Sequence, residues 1–397
     1  MTTHEFLMQH NASPCQICPE EALPRLLEDM GAGLRGEGNI PMLPSYLNTA
    51  ISPVPNAECC VLDAGGTNLR SALARFDTQG RCHLGQIHRI PMPGTDGLLS
   101  RDAFYSEIAH QVRQWGDVDA IGFCFSYNVL LDRTLDGTLL AWCKEIQVPE
   151  AVGAQVGASL ARFLEGNPRV HVLNDPVAAM LGASQEGVPI HIGIILGTGI
   201  NVCYEEQICA IPKISEPLRS DSMIISTEIG EFDGFPKSDF DIRLFSATDE
   251  PTLSHAEKQC AGGYLGQLIQ IAWDTAAKEG LLGEEYRNRQ DSLEQISNAL
   301  ATGDLSPAME IASGLIHRAA KIAAVLCTGP ILRSAAPGST VNIAVEGSQF
   351  YKLTGFRSHF CRELKQILAP HRIRFTIIQS ENACLVGAAL AAFAQPM

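Results

Sequence analysis

The chain has 397 residues, which is too many for one compact core and enough for two domains. Apolar residues make up 46% and charged residues 18% of it, as in ordinary globular proteins. With 29 Lys and Arg against 44 Asp and Glu the formal net charge is −15, so the overall field repels nucleic acids and anionic lipid surfaces. A phosphate-bearing ligand would have to be held locally, by backbone N–H groups, a metal ion or a few placed cations.

The N-terminal segment MTTHEFLMQHN lacks the basic start and apolar core of a secretion signal, and inspection finds no apolar run of bilayer-spanning length. These observations predict a cytoplasmic protein that binds neither membranes nor nucleic acids. The 13 cysteines are odd in number and scattered through predicted strands and helices. We interpret them as buried apolar residues in a reducing compartment. The Cys-x-x-Cys pair at Cys15 and Cys18 has no second pair or histidine couple at zinc spacing, and the sequence assigns it no role.

The predicted elements alternate between strands and helices in chain order. In the first half they are a helix over 19–35, strands from 58 to 76 divided by a glycine turn, a strand over 83–90, a helix over 104–115, a strand over 120–126, a helix over 150–164 and a strand over 170–173. In the second half they are strands over 190–196 and 200–204, helices over 255–277, 292–301 and 307–326, a strand over 341–345, a helix over 358–368, a strand over 374–378 and a helix over 385–394. This alternation predicts an α/β protein with largely buried sheets.

One device occurs once in each half: an apolar strand that runs into a glycine and threonine turn and returns as a second strand. The two copies are VLDAGGTNLR at 61–70 and ILGTGINVCY at 195–204. Glycines let backbone N–H groups approach an anion, and Thr67 and Thr198 add hydroxyl donors, so both turns are candidate phosphate sites. Asp63 is placed to hold a metal ion or its water beside the phosphates. Two such halves facing one another would form a ligand-binding cleft.

The familiar nucleotide signatures are missing from the sequence. It contains neither G-x-x-x-x-G-K-[ST] nor a G-x-G-x-x-G that opens a helix after a strand. A dinucleotide-binding domain is disfavoured, because its pyrophosphate needs a helix N-terminus where this chain has a returning strand. Either turn alone would also fit a plain hairpin without a ligand.

Taken in order, these segments resemble those of hexokinases and glucokinases, which belong to the actin-like sugar kinase group. VLDAGGTNLR and IILGTGINVCYEE (194–206) resemble the two phosphate segments of the family. Four segments resemble the family's sugar-binding segments: IGFCFSYNV (121–129), LLAWCKEI (139–146), STEIGEFD (226–233) and AEKQCAGGYLGQL (256–268). The segment with the catalytic aspartate is similar to VLNDPVAAML (172–181), the adenosine-side segment to VNIAVEGSQFYK (341–352), and the closing helix to ENACLVGAALAAF (381–393). The resemblance implies an α/β, two-domain actin-like fold, built from a duplicated ribonuclease H-like unit with an interdomain cleft.

The resemblance also implies a domain division and an activity. The small domain would comprise 55–174 plus 384–397 and carry the first phosphate loop, and the large domain would comprise 1–54 plus 175–383. The implied enzyme transfers the γ-phosphoryl group of MgATP to the 6-hydroxyl of a hexose, with glucose the leading substrate. Its partners would be the hexose and ATP with Mg²⁺, and the oligomeric state is left open.

Carried over position by position, the resemblance implies the site residues. Asp175 would be the general base that takes the proton of the sugar hydroxyl, with Lys144 as the second catalytic residue. Asp63 would position Mg²⁺ through water. The sugar shell would comprise Ser126, Cys143, Lys144, Asn174, Asp175, Glu228 and Glu257. The phosphate and nucleotide contacts would come from Asp63, Gly65, Gly66, Thr67, Asn68, Arg70, Gly197, Thr198, Gly199, Asn201, Gly347 and Ser348.

Several positions depart from the family pattern, mostly on the sugar side. Asn128 stands where proline is usual, Cys143 where threonine is usual, and Ser226 where the family has asparagine before Thr-Glu. Leu253 and Ser254 replace a common glutamine pair, and Glu346 replaces the usual aspartate before Gly-Ser. Because a thiol is a poor hydrogen-bond partner, the hexose is left open among glucose, mannose, fructose, glucosamine and an N-acyl hexosamine. The rival functions are a sugar sensor with weak or no catalysis and a nucleotide-driven protein of the wider actin-like group.

Overall fold

The structure is a computed structural model that describes residues 1–142 and 146–397. Its strands are β1 (Leu43–Pro44), β2 (Glu58–Ala64), β3 (Asn68–Phe76), β4 (Cys82–Leu84), β5 (His88–Pro91), β6 (Ala120–Phe125), β7 (Asn128–Leu131), β8 (Gly137–Ala141), β9 (Arg169–Leu173), β10 (Ile192–Leu196), β11 (Ile200–Gln207), β12 (Ser222–Ser226), β13 (Thr340–Glu346) and β14 (Arg374–Ile378). Its α-helices are α1 (Thr3–Gln9), α2 (Pro19–Leu34), α3 (Arg101–Arg113), α4 (Val156–Ala161), α5 (Asp175–Ala183), α6 (Asp239–Ser246), α7 (His255–Cys260), α8 (Gly262–Lys278), α9 (Leu293–Ala301), α10 (Pro307–Ser334), α11 (Ser348–Lys352), α12 (Phe356–Leu368) and α13 (Ala383–Ala392).

The two main sheets share one strand order. In the first sheet, β2 lies between its antiparallel hairpin partner β3 and the parallel strand β6, and the order is β4-β3-β2-β6-β9. In the second sheet, β10 lies in the same way between β11 and β13, and the order is β12-β11-β10-β13-β14, with β1 added beside β12. The repeated order confirms a duplicated α/β fold. The predicted domain division assigns one main sheet to each domain, and its boundaries stay a prediction.

The carboxyl ends of the parallel strands gather the predicted site residues. In the first sheet, β2, β6 and β9 run parallel, so the turn at 65–67, Ser126 and Asn174 all follow strands at the same edge. In the second sheet, β10 and β13 run parallel, so the turn at 197–199 and Gly347 share an edge. Ligands of open α/β sheets bind outside this edge. Strand register alone therefore brings together residues that are far apart in sequence.

Most predicted elements are present, and the departures have local causes. The predicted strand over 83–90 is two strands, β4 and β5, which pair separately with β3. The predicted helix over 150–164 is a 3-10 turn at Pro149–Ala151 followed by the short α4. The predicted helix over 255–277 is divided into α7 and α8 by the extended backbone of Ala261. The elements β1, β7, β8, β12, α1, α6 and α11 were not predicted.

The helix α10 corrects one expectation from the sequence. It has 28 residues and, by length and composition, is long and apolar enough to cross a membrane, whereas inspection of the sequence found no such run. Of its most apolar 18-residue stretch, 83% is buried inside the protein. Helix α10 is the central helix of the larger hydrophobic core and packs against α2, α8 and α12. Burial in a core explains its apolar composition.

Helices α5 and α13 cross at a distance that only glycine permits. A Cβ atom at Gly182 on α5 would lie 2.0 Å from the carbonyl oxygen of Ala383, and one at Gly387 on α13 would lie 1.9 Å from that of Ala178. Strand β6 approaches α13 as closely, since a Cβ atom at Gly122 would lie 1.8 Å from the carbonyl oxygen of Ala388. Because Asp175 is the first residue of α5, this backbone contact fixes the position of the predicted base.

We expect Gly387→Ala to lower the melting temperature, because the added methyl group must push α13 away from α5. Overpacking of this kind costs about 1–3 kcal/mol of unfolding free energy. The matched control is Gly31→Ala in α2, where the new Cβ would lie 3.7 Å from the nearest atom, a guanidinium nitrogen of Arg35. There alanine should be neutral or stabilising by up to about 1 kcal/mol. Thermal unfolding followed by circular dichroism compares the two, and equal melting temperatures would contradict the close crossing.

Candidate active site

The structure describes all but two of the predicted site residues. Cys143 and Lys144 lie outside the described residues. The remaining sugar-side residues come from the ends of β6, β9 and β12 and from α5 and α7, and the phosphate-side residues come from the two hairpin turns and the end of β13. All of these elements meet at the carboxyl edges of the two sheets.

Asn201, near the start of β11, links the residues predicted for the sugar. Its Nδ2 atom donates to Glu228 Oε1 at 2.6 Å and to Asn174 Oδ1 at 3.1 Å. The same atom donates to Ser226 Oγ at 3.1 Å, and Asn201 Oδ1 accepts from the backbone N–H of Glu228 at 3.0 Å. Because the buried amide is occupied in this way, the geometry favours a positioning role on the sugar side. The phosphate contact expected from the sequence stays a prediction.

Glu228 combines an unusual backbone with a perturbed carboxyl group. It follows β12 in a left-handed conformation, with φ 56° and ψ 45°, which costs a non-glycine residue about 1–3 kcal/mol. Its neighbour Thr227 fixes this turn by donating from both its backbone N–H and its hydroxyl to the carbonyl of Val202. Burial, together with the nearby negative charge of Asp175, raises the pKa of Glu228 from 4.5 to about 7. Strain and desolvation at one carboxyl group are typical of a functional position.

Asp175 lies at the N-terminus of α5, and Asn174 is the N-cap with an extended backbone. Proline follows at the second helical position, where it costs no hydrogen bond. The positive end of a helix dipole stabilises a carboxylate in the first turn. Asp175 is also close enough to Glu228 for its charge to raise the pKa of that residue. The two carboxyl groups are thus close neighbours, and Glu228 is the one whose pKa is raised.

Glu257 on α7 connects the sugar side to the second turn. Its Oε2 atom accepts the backbone N–H of Ile200 at 3.1 Å. A Cβ atom at Gly199 would lie 2.5 Å from the same oxygen, and one at Gly230 would lie 3.0 Å from the Cβ of Glu257. The carboxylate thus packs directly on the turn, and a side chain at position 199 would displace it.

The second glycine turn rests on the start of α8. The carbonyls of Gly197 and Thr198 accept the backbone N–H groups of Gly262 and Gly263 at 2.8 and 3.0 Å. Side chains would block this contact, since a Cβ atom at Gly262 would lie 2.7 Å from the carbonyl oxygen of Gly197. On the other side is Gly347, with φ 120°, where a Cβ atom would lie 2.1 Å from the carbonyl oxygen of Leu196. The sequence signal for this support is Ala-Gly-Gly at the start of a helix.

The first glycine turn is held by Tyr127, which sequence reasoning missed. Its buried hydroxyl donates to the carbonyl of Gly65 at 2.7 Å. On the other side of the turn, the carbonyl of Thr67 accepts the backbone N–H of Met92 at 3.0 Å, and Asn68 Nδ2 donates to Thr67 Oγ1 at 2.7 Å. Thr67 itself is exposed, as a ligand-binding hydroxyl must be.

Asp63, Arg70 and Glu346 form a charged group beside the first turn. Arg70 Nε donates to Asp63 Oδ2 at 2.7 Å, and another guanidinium nitrogen of Arg70 donates to Asn382 Oδ1 at 3.3 Å. Burial raises the pKa of Glu346, while Arg70 opposes the shift and Asp63 adds to it. The guanidinium that was predicted to contact phosphate is thus shared with Asp63, and its phosphate contact stays a prediction.

The donor set beside the first turn suits Mg²⁺. The carboxylates of Asp63 and Glu346 lie near the guanidinium of Arg70. Mg²⁺ prefers one or two carboxylates together with water and phosphate oxygens. Among the described residues, no group of three or more His, Cys, Asp and Glu side chains is arranged to hold a metal ion by itself. The residues present therefore fit a cation that arrives with phosphate ligands.

Comparison with protein families decides the membership. One model described as hexokinase matches residues 5–185, and another with the same description matches 191–308 and 282–394. This chain belongs to the hexokinase family. Hexokinase-1 of Schizosaccharomyces pombe is 27% identical over 71% of this chain, and Hexokinase-2 of Solanum tuberosum is 32% identical over 65% of it. These alignments span 63% and 56% of the two relatives, less than two thirds of either hexokinase.

Solved structures agree on the fold. A hexokinase from Schistosoma mansoni complexed with glucose superposes with a TM-score of 0.86 at 22% identity, covering 99% of this chain and 98% of that one. A ROK family glucokinase from Streptomyces griseus in complex with glucose and AMPPNP gives a TM-score of 0.54 at 18% identity, covering 85% of this chain and 99% of that one. The hexokinase, actin-like fold predicted from the sequence is confirmed.

The raised pKa of Glu228 predicts a pH-dependent stability difference. This pKa is about 7 in the folded chain, and the usual value of 4.5 applies to the unfolded chain. Ionisation of Glu228 therefore opposes folding increasingly as the pH rises from 4.5 to 7. Glutamine does not ionise and its oxygen can still accept from Asn201. At pH 8, Glu228→Gln should therefore have a larger free energy of unfolding than the unsubstituted chain, by up to about 3 kcal/mol, and should unfold at a higher temperature. At pH 4.5 the two chains should differ little.

Differential scanning calorimetry at both pH values measures this effect. The control is Glu37→Gln, which removes an exposed surface carboxylate paired with Arg35. A stability difference for Glu228→Gln that is the same at both pH values would contradict the assigned ionisation.

Proposed function

We propose that this chain transfers the γ-phosphoryl group of MgATP to the 6-hydroxyl of a hexose, with glucose the leading substrate. The observation that carries the proposal is the hydrogen bonding of Asn201 to Asn174, Ser226 and Glu228 beside Asp175, between two glycine and threonine turns. Such a site offers carboxylate and amide groups for sugar hydroxyls next to backbone N–H groups for phosphates. The glucose present in the Schistosoma mansoni hexokinase structure supports the choice of hexose.

In this proposal Asp175 takes the proton of the attacking hydroxyl. Phosphoryl transfer has a loose transition state, so catalysis is mainly alignment and charge stabilisation, with a carboxylate to receive the proton. Asp175 lies in the first turn of α5, at the positive end of the helix dipole. Glu228, whose pKa is raised to about 7, can accept or donate a hydrogen bond to a neighbouring hydroxyl. The two roles are thereby divided between the members of the pair.

The two turns hold the nucleotide phosphates in this proposal. Backbone N–H groups near Gly66 and Gly199 and the exposed hydroxyls of Thr67 and Thr198 supply donors without a net positive charge. Mg²⁺, when bound with ATP, neutralises phosphate charge, and the carboxylates of Asp63 and Glu346 would hold its water ligands. The negative net charge of the chain is compatible with phosphate binding, because hydrogen-bond donors of the two turns contact the phosphates directly.

The preferred hexose and the location of the protein belong to the same proposal. Ser226, which stands where the family has asparagine, can donate its one hydroxyl proton to Asn174 Oδ1 or to Glu228 Oε1, each at 3.1 Å, so the substitution keeps a polar link. This favours retention of a hexose-binding cleft, which a sugar sensor with weak or no catalysis would share. We propose a cytoplasmic enzyme with glucose ahead of mannose, fructose, glucosamine and N-acyl hexosamines.

A coupled assay of ADP release with MgATP and a panel of these sugars tests the proposal. We expect turnover with glucose at least as efficient as with any other member, measured as kcat/KM. A higher kcat/KM with another sugar would change the proposed substrate and leave the proposed reaction unchanged. Sugar binding without turnover would favour the sensor, and rapid sugar-independent ATP hydrolysis would favour the nucleotide-driven protein.

Asp175→Asn removes the proposed base and keeps the size of the side chain. We expect kcat to fall by about 10²–10⁴ while the affinity for glucose, measured by calorimetry, changes much less. Asp102→Asn is the control, because it removes an exposed carboxylate from the first turn of another helix, α3. Near-normal turnover in Asp175→Asn would remove Asp175 from the base role.

A further inference from the structure

A cavity of about 820 Å³ lies at the edge of the first sheet that is opposite the candidate active site. Three arginines line it, Arg133, Arg169 and Arg219, and we call it the arginine cavity. Arg169 begins β9 and Asn174 follows the end of that strand, so the length of β9 separates the cavity from the site. We propose that the arginine cavity binds a small phosphate monoester that carries hydroxyl groups.

The charge of the arginine cavity is opposite to that of the chain. The net charge of the chain is −15, yet of the residues that the structure describes only one acidic side chain, that of Asp136, lines the cavity. Its carboxylate already accepts three backbone N–H groups at 2.6 to 2.8 Å, those of Gly137, Gly157 and Ala158. Because these donors compensate the carboxylate, the arginines dominate the local potential, which attracts an anion.

Two of the three guanidinium groups are available to a ligand. Arg169 and Arg219 are exposed, and within the described part of the chain neither side chain forms an ion pair or a hydrogen bond. Arg133, by contrast, donates to Glu216 Oε2 at 2.7 Å and to the carbonyl oxygen of Met397 at 3.1 Å. An arginine fork matches a phosphate group, because it donates two parallel hydrogen bonds to the phosphate oxygens.

His171 adds a buried hydrogen-bond acceptor to the wall. This residue is on β9 and 2% exposed, and its Nδ1 atom donates to the carbonyl oxygen of Ala391 at 2.7 Å. Burial lowers the pKa of His171, and the charge of Arg169 contributes in the same direction. The ring is therefore neutral, and its Nε2 atom, which has no hydrogen-bond partner among the described residues, is an acceptor. A hydroxyl group of the ligand can donate to it.

The size and position of the cavity favour a small molecule. Small-molecule sites have volumes of about 300–1,000 Å³, and the negative net charge of the chain opposes the binding of nucleic acids. Arg219 precedes β12, and Ser226 is the last residue of that strand. The arginine cavity and the candidate active site thus lie at opposite ends of both β9 and β12. A ligand in the cavity would contact both halves of the chain and leave the candidate active site free.

Isothermal titration calorimetry with two probes tests the ligand class. Ribose 5-phosphate presents a phosphate monoester with hydroxyl groups, and inorganic phosphate presents the anion alone. We expect ribose 5-phosphate to bind with a Kd below about 1 mM and inorganic phosphate to bind more weakly. Equal or tighter binding of inorganic phosphate would overturn the assignment of a monoester. The absence of saturable binding of both probes would overturn the site.

The double variant Arg169→Gln/Arg219→Gln locates the binding. Both positions are exposed, so the fold should tolerate the change, and we expect the affinity for ribose 5-phosphate to fall about tenfold or more. The matched control is Arg81→Gln, which removes another exposed arginine without an ion pair among the described residues, between β3 and β4. Its affinity should be unchanged. Equal affinity in the double variant would place the probe elsewhere, for example at the two glycine turns, and would overturn the proposal.

Thermal unfolding gives a second measurement that needs no turnover. Saturating ribose 5-phosphate should raise the melting temperature of the unsubstituted chain and of Arg81→Gln by a similar amount, because it binds the folded state. The same concentration should leave the melting temperature of the double variant nearly unchanged, and an equal rise in all three would contradict the proposed site. If the chain phosphorylates no sugar, the proposed function fails, and these two measurements still decide the arginine cavity.

Discussion

The contact of backbone with backbone between α5 and α13 is the constraint on which the site depends. It places glycine at 182 and 387 and brings α13 against β6 through Gly122, so the first sheet, the closing helix and the helix that begins with Asp175 form one packed unit. Contacts of this kind tolerate no gradual adjustment, since interiors are packed as densely as crystals. The position of Asp175 relative to the first turn is thus set by main-chain atoms, and side-chain rotamers have little influence on it.

The second half of the chain places carboxyl groups beside this rigid unit, and their backbone strain and burial cost folding free energy. Glu228 is held in a left-handed conformation and close to Asp175, and its raised pKa records both burial and like charge. Asn201 offsets part of this cost by donating to Glu228 and by accepting from its backbone. The strain is placed where a polyhydroxylated ligand would supply further donors. A site with this balance is tuned to its ligand more than to its own stability.

The sequence was sufficient for the α/β class and for the two turns because their signals are local, whereas the actin-like fold was implied by the resemblance to hexokinases. An apolar strand, a glycine turn and a returning strand are each visible within about ten residues, and their repetition indicates a duplication. The roles of Asn201, Tyr127 and Arg70 were not accessible in the same way. Asn201 meets Asn174 and Glu228 from 27 residues away on either side, and Tyr127 meets Gly65 across 62 residues. Partners of this kind are decided by strand register, which no local pattern encodes.

The link from Asn174 through Asn201 to Ser226 and Glu228 joins the start of α5 to the second sheet. Asn174 is the N-cap of α5, so a ligand that draws Glu228 or Asn201 toward itself also acts on the residue next to Asp175. Cys384 reaches the same helix start from the opposite side, through the carbonyl of Asp175. Sugar binding would therefore act on this short piece of backbone. Because that piece carries the proposed base, it is the place where sugar binding can control phosphoryl transfer with the smallest movement.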